Sequence, residues 1–513
     1  MKSLPFPSLI KSISIWALLV QSLPGATAHA QAAPDRSKPN ILFIAVDDLR
    51  PEFGAYGHPE VKSPNLDRLA ARGSTFLRAY CQQAVCSPSR TSLLTGARPD
   101  TTKVYDLVTH FRKAMPVTVT LPQFFKQQGY FVQGLGKIYH PGLDDPPSWS
   151  VPWKTATPKA KPYALAESRA LAQKNRKAAA AKGQAKKKGG VKQGSRGPAF
   201  ESADVPDDEY LDGAVADLAV EALRSLKAQK EPFFLAVGFA KPHLPFIAPK
   251  KYWDLYDPAR IALASNPYRP EGAPTYAVES GGELRSYADI PSGHLPDDLA
   301  RTLKHGYYAA ISYMDAQVGK VLDELDRLSL RENTVVVLWG DHGWKLGEHD
   351  AWCKHSNVEL DTHVPLIVAA PGQTKPGQST KALVEFVDLY PTLAELAGLK
   401  PPAHLEGTSF LPVLQSPDRP WKSAAFSQYP RQVAGRALMG YSMRTDRHRL
   451  TRWVERKDPT QVAAVELYDL QADPQENRNI ADDPANAELV VRLTKQWQAG
   501  WQGVKAELTA DEK

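Results

Sequence analysis

Cys86 stands two residues ahead of a proline and four ahead of an arginine, in the run Cys86-Ser87-Pro88-Ser89-Arg90-Thr91-Ser92-Leu93-Leu94-Thr95-Gly96. Pro88 suits the first turn of a helix, where its missing N–H would go unpaired anyway. Ser89 to Leu94 reads as helix, and Thr95-Gly96 as its stop. The spacing therefore puts Cys86 at a helix N-terminus, where free N–H groups and the dipole favour an anion. Arg90, one turn on, can point back toward it. These features alone describe either a reactive thiol or a buried, inert one.

The other residues with chemistry to offer follow apolar runs. Asn40 to Val46 ends in Asp47-Asp48, a pair that is costly at the edge of a core unless something positive sits there. It reads as a divalent-cation site or as a solvated turn with one Asp capping a helix. Tyr130 to Leu135 is followed by Lys137 and His140, and Phe233 to Phe239 by Lys241 and His243. Thr334 to Trp339 is followed by Asp341 and His342, with Lys354 in the loop beyond.

Such continuous apolar runs suit strands buried on both faces. A fifth covers His363 to Val368, and a short strand is expected over Phe76 to Tyr80. Between them lie helical patterns at Ser63 to Ala70, Thr120 to Gln128, Leu211 to Leu226 and Leu303 to Leu328. Strands alternating with helices predict an α/β fold with a large, mostly parallel central sheet flanked by helices. Ligands of such sheets bind beyond the carboxyl ends of the strands. Asp47, Asp48, Lys137, Lys241, His243, Asp341, His342 and Lys354 then collect at one edge, as an acid cluster for a metal with cations around it for an anion.

Length and composition set the frame. A chain of 513 residues has room for a large core and two or more domains. Residues 1–30 carry Lys2 and Lys11, an apolar run and Ala28-His29-Ala30, the marks of a secretory signal. No later run reaches the roughly 20 apolar residues that span a bilayer. The expectation is an exported protein, periplasmic or extracellular, without a membrane span. Three cysteines do not make a disulfide framework; Cys81 and Cys353 are expected as free, buried thiols. The net charge of +7 is misleading, because residues 154–196 hold thirteen Lys or Arg against Glu167 alone. The rest is net negative, so nucleic-acid binding is not indicated. That insert, rich in Ala, Lys and Gln, reads as disordered or a solvated, fraying helix. Beyond about residue 420, Gly440 to Thr445 and Glu466 to Leu470 alternate like antiparallel strands, and Asn486 to Trp501 makes a closing helix. This predicts a smaller C-terminal α+β domain.

The pattern C-x-P-x-R followed by T-G resembles the activation motif of the sulfatase family, and the surrounding words resemble its iduronate-2-sulfatase-like branch. Val46-Asp47-Asp48-Leu49-Arg50-Pro51, Gly136-Lys137 with His140-Pro141-Gly142, Lys241-Pro242-His243, and Asp341-His342-Gly343-Trp344 carry the likeness. The resemblance implies an alkaline-phosphatase-like sulfatase fold, with a catalytic domain over 36–420 and a C-terminal subdomain over 421–513. It implies that Cys86 is oxidised to formylglycine by a formylglycine-generating enzyme, and that Asp47, Asp48, Asp341, His342 and the modified Cys86 hold Ca²⁺, with Mg²⁺ as the alternative. One hydroxyl of the aldehyde hydrate would attack sulfur, with His243 or Lys354 protonating the leaving group and His140 taking the proton that releases sulfate. Lys137 and Arg90 would hold the anions, and Trp344 and Arg444 would contact a sulfated saccharide. Two other readings stay open: a phosphonate monoester or phosphodiester hydrolase of the same superfamily, and a polyanion-binding protein on an inactive scaffold.

Overall fold

The computed structural model describes residues 38–181, 196–279 and 281–511. The expected signal and the middle of the basic insert lie outside them. The apolar runs form a seven-stranded sheet: β1 (Asn40–Val46), β2 (Ser74–Phe76), β3 (Phe131–Gly136), β4 (Phe233–Phe239), β5 (Thr334–Gly340), β6 (Leu366–Ala369) and β7 (Gln378–Thr380). The order is β7-β2-β6-β5-β1-β4-β3. β5, β1, β4 and β3 run parallel, and β6 is antiparallel to both neighbours. Every residue of β1, β4 and β5 is buried.

Alternation along β1 divides the core. Leu42, Ile44 and Val46 face one apolar cluster, Ile41, Phe43 and Ala45 the other. Each fully buried Ile or Phe contributes roughly 1.5–3 kcal/mol, so the central strand is held from both sides. The first cluster includes residues of helices Leu211–Lys227 and Asp297–Arg327, the second residues of helix Cys86–Thr95.

Two expected strands are divided. Pro365 has no N–H for a ladder, and it splits the fifth apolar run into His363–Val364 and β6. The stretch from Phe76 to Tyr80 belongs to two different sheets, ending β2 and then forming Ala79–Tyr80. Toward the C-terminus, β8 (Ala424–Val433), β9 (Arg436–Thr445), β10 (His448–Glu455) and β11 (Val462–Asp469) make an antiparallel sheet in chain order. Helix Ala487–Asp511 follows, broken at Gly500 (φ 62°).

The first part of the basic insert departs from the expectation of a solvated segment. Lys154 bridges Leu135, Ala160 and Tyr163 are buried, and the Tyr163 hydroxyl donates to the Pro198 carbonyl at 2.7 Å. Ala166–Ala181 is helical, and Asn175 donates to the Arg196 carbonyl. One buried tyrosine anchors a sequence whose composition is otherwise that of a linker. Among the described residues, no helix is long and apolar enough to cross a membrane.

Two glycines let the chain carry its site residues close together. At Gly136 (φ 68°) a Cβ would lie 2.1 Å from the Gly238 carbonyl oxygen, and at Gly238 one would lie 2.1 Å from that of Lys137. β3 and β4 therefore converge where Lys137 leaves the sheet. A Gly238→Ala substitution is expected to destabilise the fold by about 3 kcal/mol, the upper part of the overpacking range. Denaturant midpoints of the two proteins measure it; equal midpoints would show that the backbone there yields freely.

Candidate active site

The carboxyl ends of β1 and β5 lie side by side and deliver three carboxylates to one place. Asp47, Asp48, Asp341 and His342, with Cys86 and Arg90 from helix Cys86–Thr95, are all at most 2 % exposed. Asp48 adopts φ 56°, a conformation costing about 1–3 kcal/mol for a non-glycine residue. Its amide donates to Asp341 Oδ1 at 3.0 Å, and its carbonyl accepts from the Tyr307 hydroxyl at 2.7 Å. The turn is thereby fixed on both sides.

Arg90 offsets the buried charge. Its Nε donates to Asp341 Oδ2 at 2.8 Å, its Nη2 to Asp47 Oδ1 at 3.1 Å and its Nη1 to the Ile138 carbonyl at 3.1 Å. The Lys137 ammonium pairs with Asp47 and sits 3.7 Å from Cys86 Sγ. Burial opposes ionisation of Asp47, but Lys137, His243 and Arg90 hold its carboxyl well below the usual range. Burial, reinforced by Asp47, pushes the Cys86 thiol well up. The residue is therefore a neutral thiol and a weak nucleophile as it stands.

The donor set fits a hard divalent cation. Single ligand atoms from Asp47, Cys86, Asp341 and His342 lie within 4.8 Å of one another, as do those of Asp47, Asp48, Cys86 and His243. His342 Nδ1 sits 3.0 Å from the Gly343 carbonyl. With Nδ1–H donating there, Nε2 turns its lone pair toward Asp48 Oδ1 and Cys86 Sγ, both at 3.3 Å. Three carboxylates and one imidazole suit Ca²⁺ or Mg²⁺.

Two further basic groups, Lys354 and His243, stand between Asp48 and Glu283. Lys354 Nζ lies 3.0 Å from Asp48 Oδ2 and 3.2 Å from Glu283 Oε2. Burial works against its charge, yet Asp48 and Glu283 keep it well above the ordinary lysine range. His243 Nε2 is 3.4 Å from Glu283 and 3.9 Å from Asp48. Burial lowers its affinity for a proton, and Asp48 with Glu283 more than restore it, so the net direction is up. His140 goes the other way, brought down to about 4 by burial and by Lys137. The two imidazoles are thus shifted in opposite directions by their neighbours.

Lys137, His243, Lys354, Asp47, Asp48, Asp341 and His342 thus come together as expected from their places after the strands; Cys86 and Arg90 join them from helix Cys86–Thr95, and His140 lies in the same electrostatic surroundings. Lys241 lies within the field of Asp47 and Asp48, but its ammonium bonds backbone carbonyls. Its Nζ donates to the Pro245 carbonyl at 2.7 Å, bracing the turn that carries His243. Two expected sugar contacts are placed otherwise. Trp344 is fully buried, and its ring lies under the Lys354 ammonium at 4.9 Å, which makes it a wall behind a cation. Arg444 pairs with Glu359, which also takes Arg449 and the Tyr80 hydroxyl. That network ties β9 and β10 to the main body, and none of its members belongs to the cluster. Sequence reasoning missed Glu283 and Arg196, which lie in loops with no periodicity to mark them.

The loop after β5 holds a pH-sensitive group. His349, buried and at φ 58°, is brought down to about 4 by burial and by Lys345. Unfolded, it would take a proton near pH 6.5. The unfolded chain therefore binds more protons between pH 6.5 and about 4, and stability falls as pH falls through that window by up to about 1.4 kcal/mol per pH unit from this group. A His349→Phe variant is expected to flatten that part of the stability curve; an unchanged slope would remove His349 as a cause.

Known proteins bear on this geometry. The sulfatase family model matches residues 39–399, and the model for N-sulphoglucosamine sulphohydrolase, C-terminal, matches 347–501. The chain is 35 % identical to iduronate 2-sulfatase of Mus musculus, over 95 % of this chain and 99 % of that one. It is also 35 % identical to iduronate 2-sulfatase of Homo sapiens, over 91 % and 94 %. Among solved structures, a 2-O GAG sulfatase superposes with a TM-score of 0.69 at 23 % identity, covering 92 % of this chain and 94 % of that one. The phosphonate monoester hydrolase of Agrobacterium radiobacter superposes with a TM-score of 0.67 at 22 % identity, covering 92 % and 96 %. The structural likenesses give the fold, which is the alkaline-phosphatase-like fold of sulfatases.

Proposed function

The chain belongs to the sulfatase family and is a sulfuric ester hydrolase; on that premise we propose that it is an exported, iduronate-2-sulfatase-like enzyme acting on sulfated saccharides. The observation that carries the reading is the convergence on Cys86 of three buried carboxylates, one bare imidazole nitrogen and the cations Lys137, Lys354 and Arg90. A divalent cation held by Asp47, Asp48, Asp341 and His342 would offset charge building on the sulfate oxygens, and oxidation of Cys86 to formylglycine would supply the nucleophile that a buried thiol does not. At 2 % exposure Cys86 is out of another enzyme's reach in the folded chain, so a formylglycine-generating enzyme would act before folding.

The chain's own residues divide the remaining work. Lys137 and Lys354 flank the cluster and bind the sulfate oxygens, and Arg90 holds the Asp47 and Asp341 carboxyl groups in place. Of the two candidate acids, His243 Nε2 is the better one. An ammonium held well above its ordinary pKa gives up a proton poorly, whereas an imidazolium exchanges protons near neutral pH. His140, neutral above about pH 5, accepts the proton whose loss frees sulfate. The fold covers this chemistry from water: His342 and Asp341 are wholly buried.

A 2-sulfated uronate disaccharide is the first substrate to try, beside matched aryl sulfate and aryl phosphodiester esters. The sulfate esters are expected to show the higher kcat/KM. The opposite order would favour the phosphonate or phosphodiester hydrolase reading. Saccharide binding with no turnover of any ester would favour a polyanion-binding protein.

A further inference from the structure

Glu283 has no part in the mechanism above, yet it touches two of its residues, His243 and Lys354. It stands on one turn of 3-10 helix, Gly282–Ser286. Its Oε2 lies 3.2 Å from Lys354 Nζ and 3.4 Å from His243 Nε2, and its Oε1 accepts from Arg196 Nη1 at 2.7 Å. Gly282 seats the turn: at φ 43°, its Cβ would lie 2.6 Å from Cys353 Sγ, next to Lys354. Burial opposes ionisation, but His243, Lys354 and Arg196 hold the Glu283 carboxyl well below the usual range.

Counting donors shows what this contact does. His243 Nδ1 is 2.6 Å from the Leu244 carbonyl, which leaves only the Nε2–H to face the cluster. That hydrogen is nearer Glu283 than Asp48 or Asp47, the latter at 4.0 Å. Lys354 divides its N–H groups between Asp48 and Glu283. A sulfate group brought to His243 and Lys354 therefore meets an anion already bound to them, and one N–H cannot serve both.

The geometry points to Glu283 as the resident anion of the sulfate-binding pocket: its carboxylate pairs with His243 and Lys354 until a substrate sulfate exchanges for it, and Arg196 remains its partner on the outer side. The inference rests on the sulfate-ester reading. It gives the end of the basic insert a task, since Arg196 is the last residue of that segment and, with about a third of its side chain exposed, it holds the carboxylate from the solvent side. How readily the pocket accepts a sulfate group is then set by how Glu283 is shared between two cations inside and one outside.

Inorganic sulfate, tested as a competitive inhibitor of aryl sulfate hydrolysis by the full-length matured enzyme, reads this competition directly. In Glu283→Gln the inhibition constant is expected to fall about three- to tenfold, with KM falling alongside, because one competing charge is gone. Arg196→Gln is expected to weaken sulfate binding, since the displaced carboxylate loses its outer partner. The double variant should behave like Glu283→Gln alone, a non-additivity that requires the two residues to act through each other. A merely structural Glu283 would raise KM and lower the melting temperature, so melting temperatures are measured in parallel. Glu283→Asp, one methylene shorter and unable to reach both cations, should show a smaller shift of the same sign and serves if the Gln variant does not fold. Sulfate inhibition that is equal or weaker in both Glu283 variants overturns the resident-anion role and leaves the sulfatase reading standing. No inhibition and no ester turnover in any of the proteins, wild type included, overturns both.

Discussion

A Cys86→Ala variant is expected to lose turnover of every sulfate ester, with kcat/KM falling by at least about 10⁴, the scale seen when a catalytic nucleophile is removed. Its fold should survive, because the thiol is a small buried group whose Sγ is 3.3 Å from His342 and 3.7 Å from Lys137. Cys86→Ser is expected to be as inactive when produced with an activating enzyme that recognises only cysteine. Substrate binding should persist, since Lys137, Lys354 and His243 are untouched. The pairing of retained binding with lost turnover is the informative result. If Cys86→Ala turned over at even a tenth of the wild-type rate, the nucleophile would have to be sought elsewhere.

The second large effect belongs to Arg90. Its guanidinium is fully buried between Asp47 and Asp341 and lies 5.5 Å from the Trp339 ring. Arg90→Ala leaves two buried carboxylates with one of their counter-ions gone, and breaking a buried pair in this way costs about 3–5 kcal/mol. Arg90→Lys keeps the charge but has no planar fork to reach both carboxylates and the Ile138 carbonyl together. It should recover part of the stability and little of the activity. Chemical denaturation with added calcium separates the two contributions, because a bound cation would offset some of the same charge. Wild-type stability in Arg90→Ala would mean that the carboxylates are protonated or relaxed in the folded protein.

Much of this site could be read from the sequence because parallel strands buried on both faces are long apolar runs, and whatever follows them lands at one edge. Asn40 to Val46 followed by Asp47-Asp48, and Thr334 to Trp339 followed by Asp341-His342, carry that signal. Pro88 and Gly96 bracket helix Cys86–Thr95 in the same legible way. What escaped detection was placed by contacts distant in sequence. Glu283 and Arg196 come from short irregular segments and meet where the Arg196 amide bonds the Ser286 carbonyl and its guanidinium the Tyr287 hydroxyl. Trp344 and Arg444 have residue types suited to sugars, but burial under Lys354 and pairing with Glu359 decided otherwise. β8 went unread because Tyr429, Pro430 and Arg431 interrupt its alternation, and only its ten paired neighbours on β9 make it a strand. In the insert, Lys and Ala composition outweighed the single anchoring Tyr163.

The mass of the tryptic peptide running from Ala79 to Arg90 tests the central claim most directly, in protein from its native host. A peptide lighter than the cysteine form by the thiol-to-aldehyde difference is the predicted result, and it would leave the choice of sulfate ester as the question to pursue. An intact thiol at Cys86 in protein that hydrolyses sulfate esters would contradict the account.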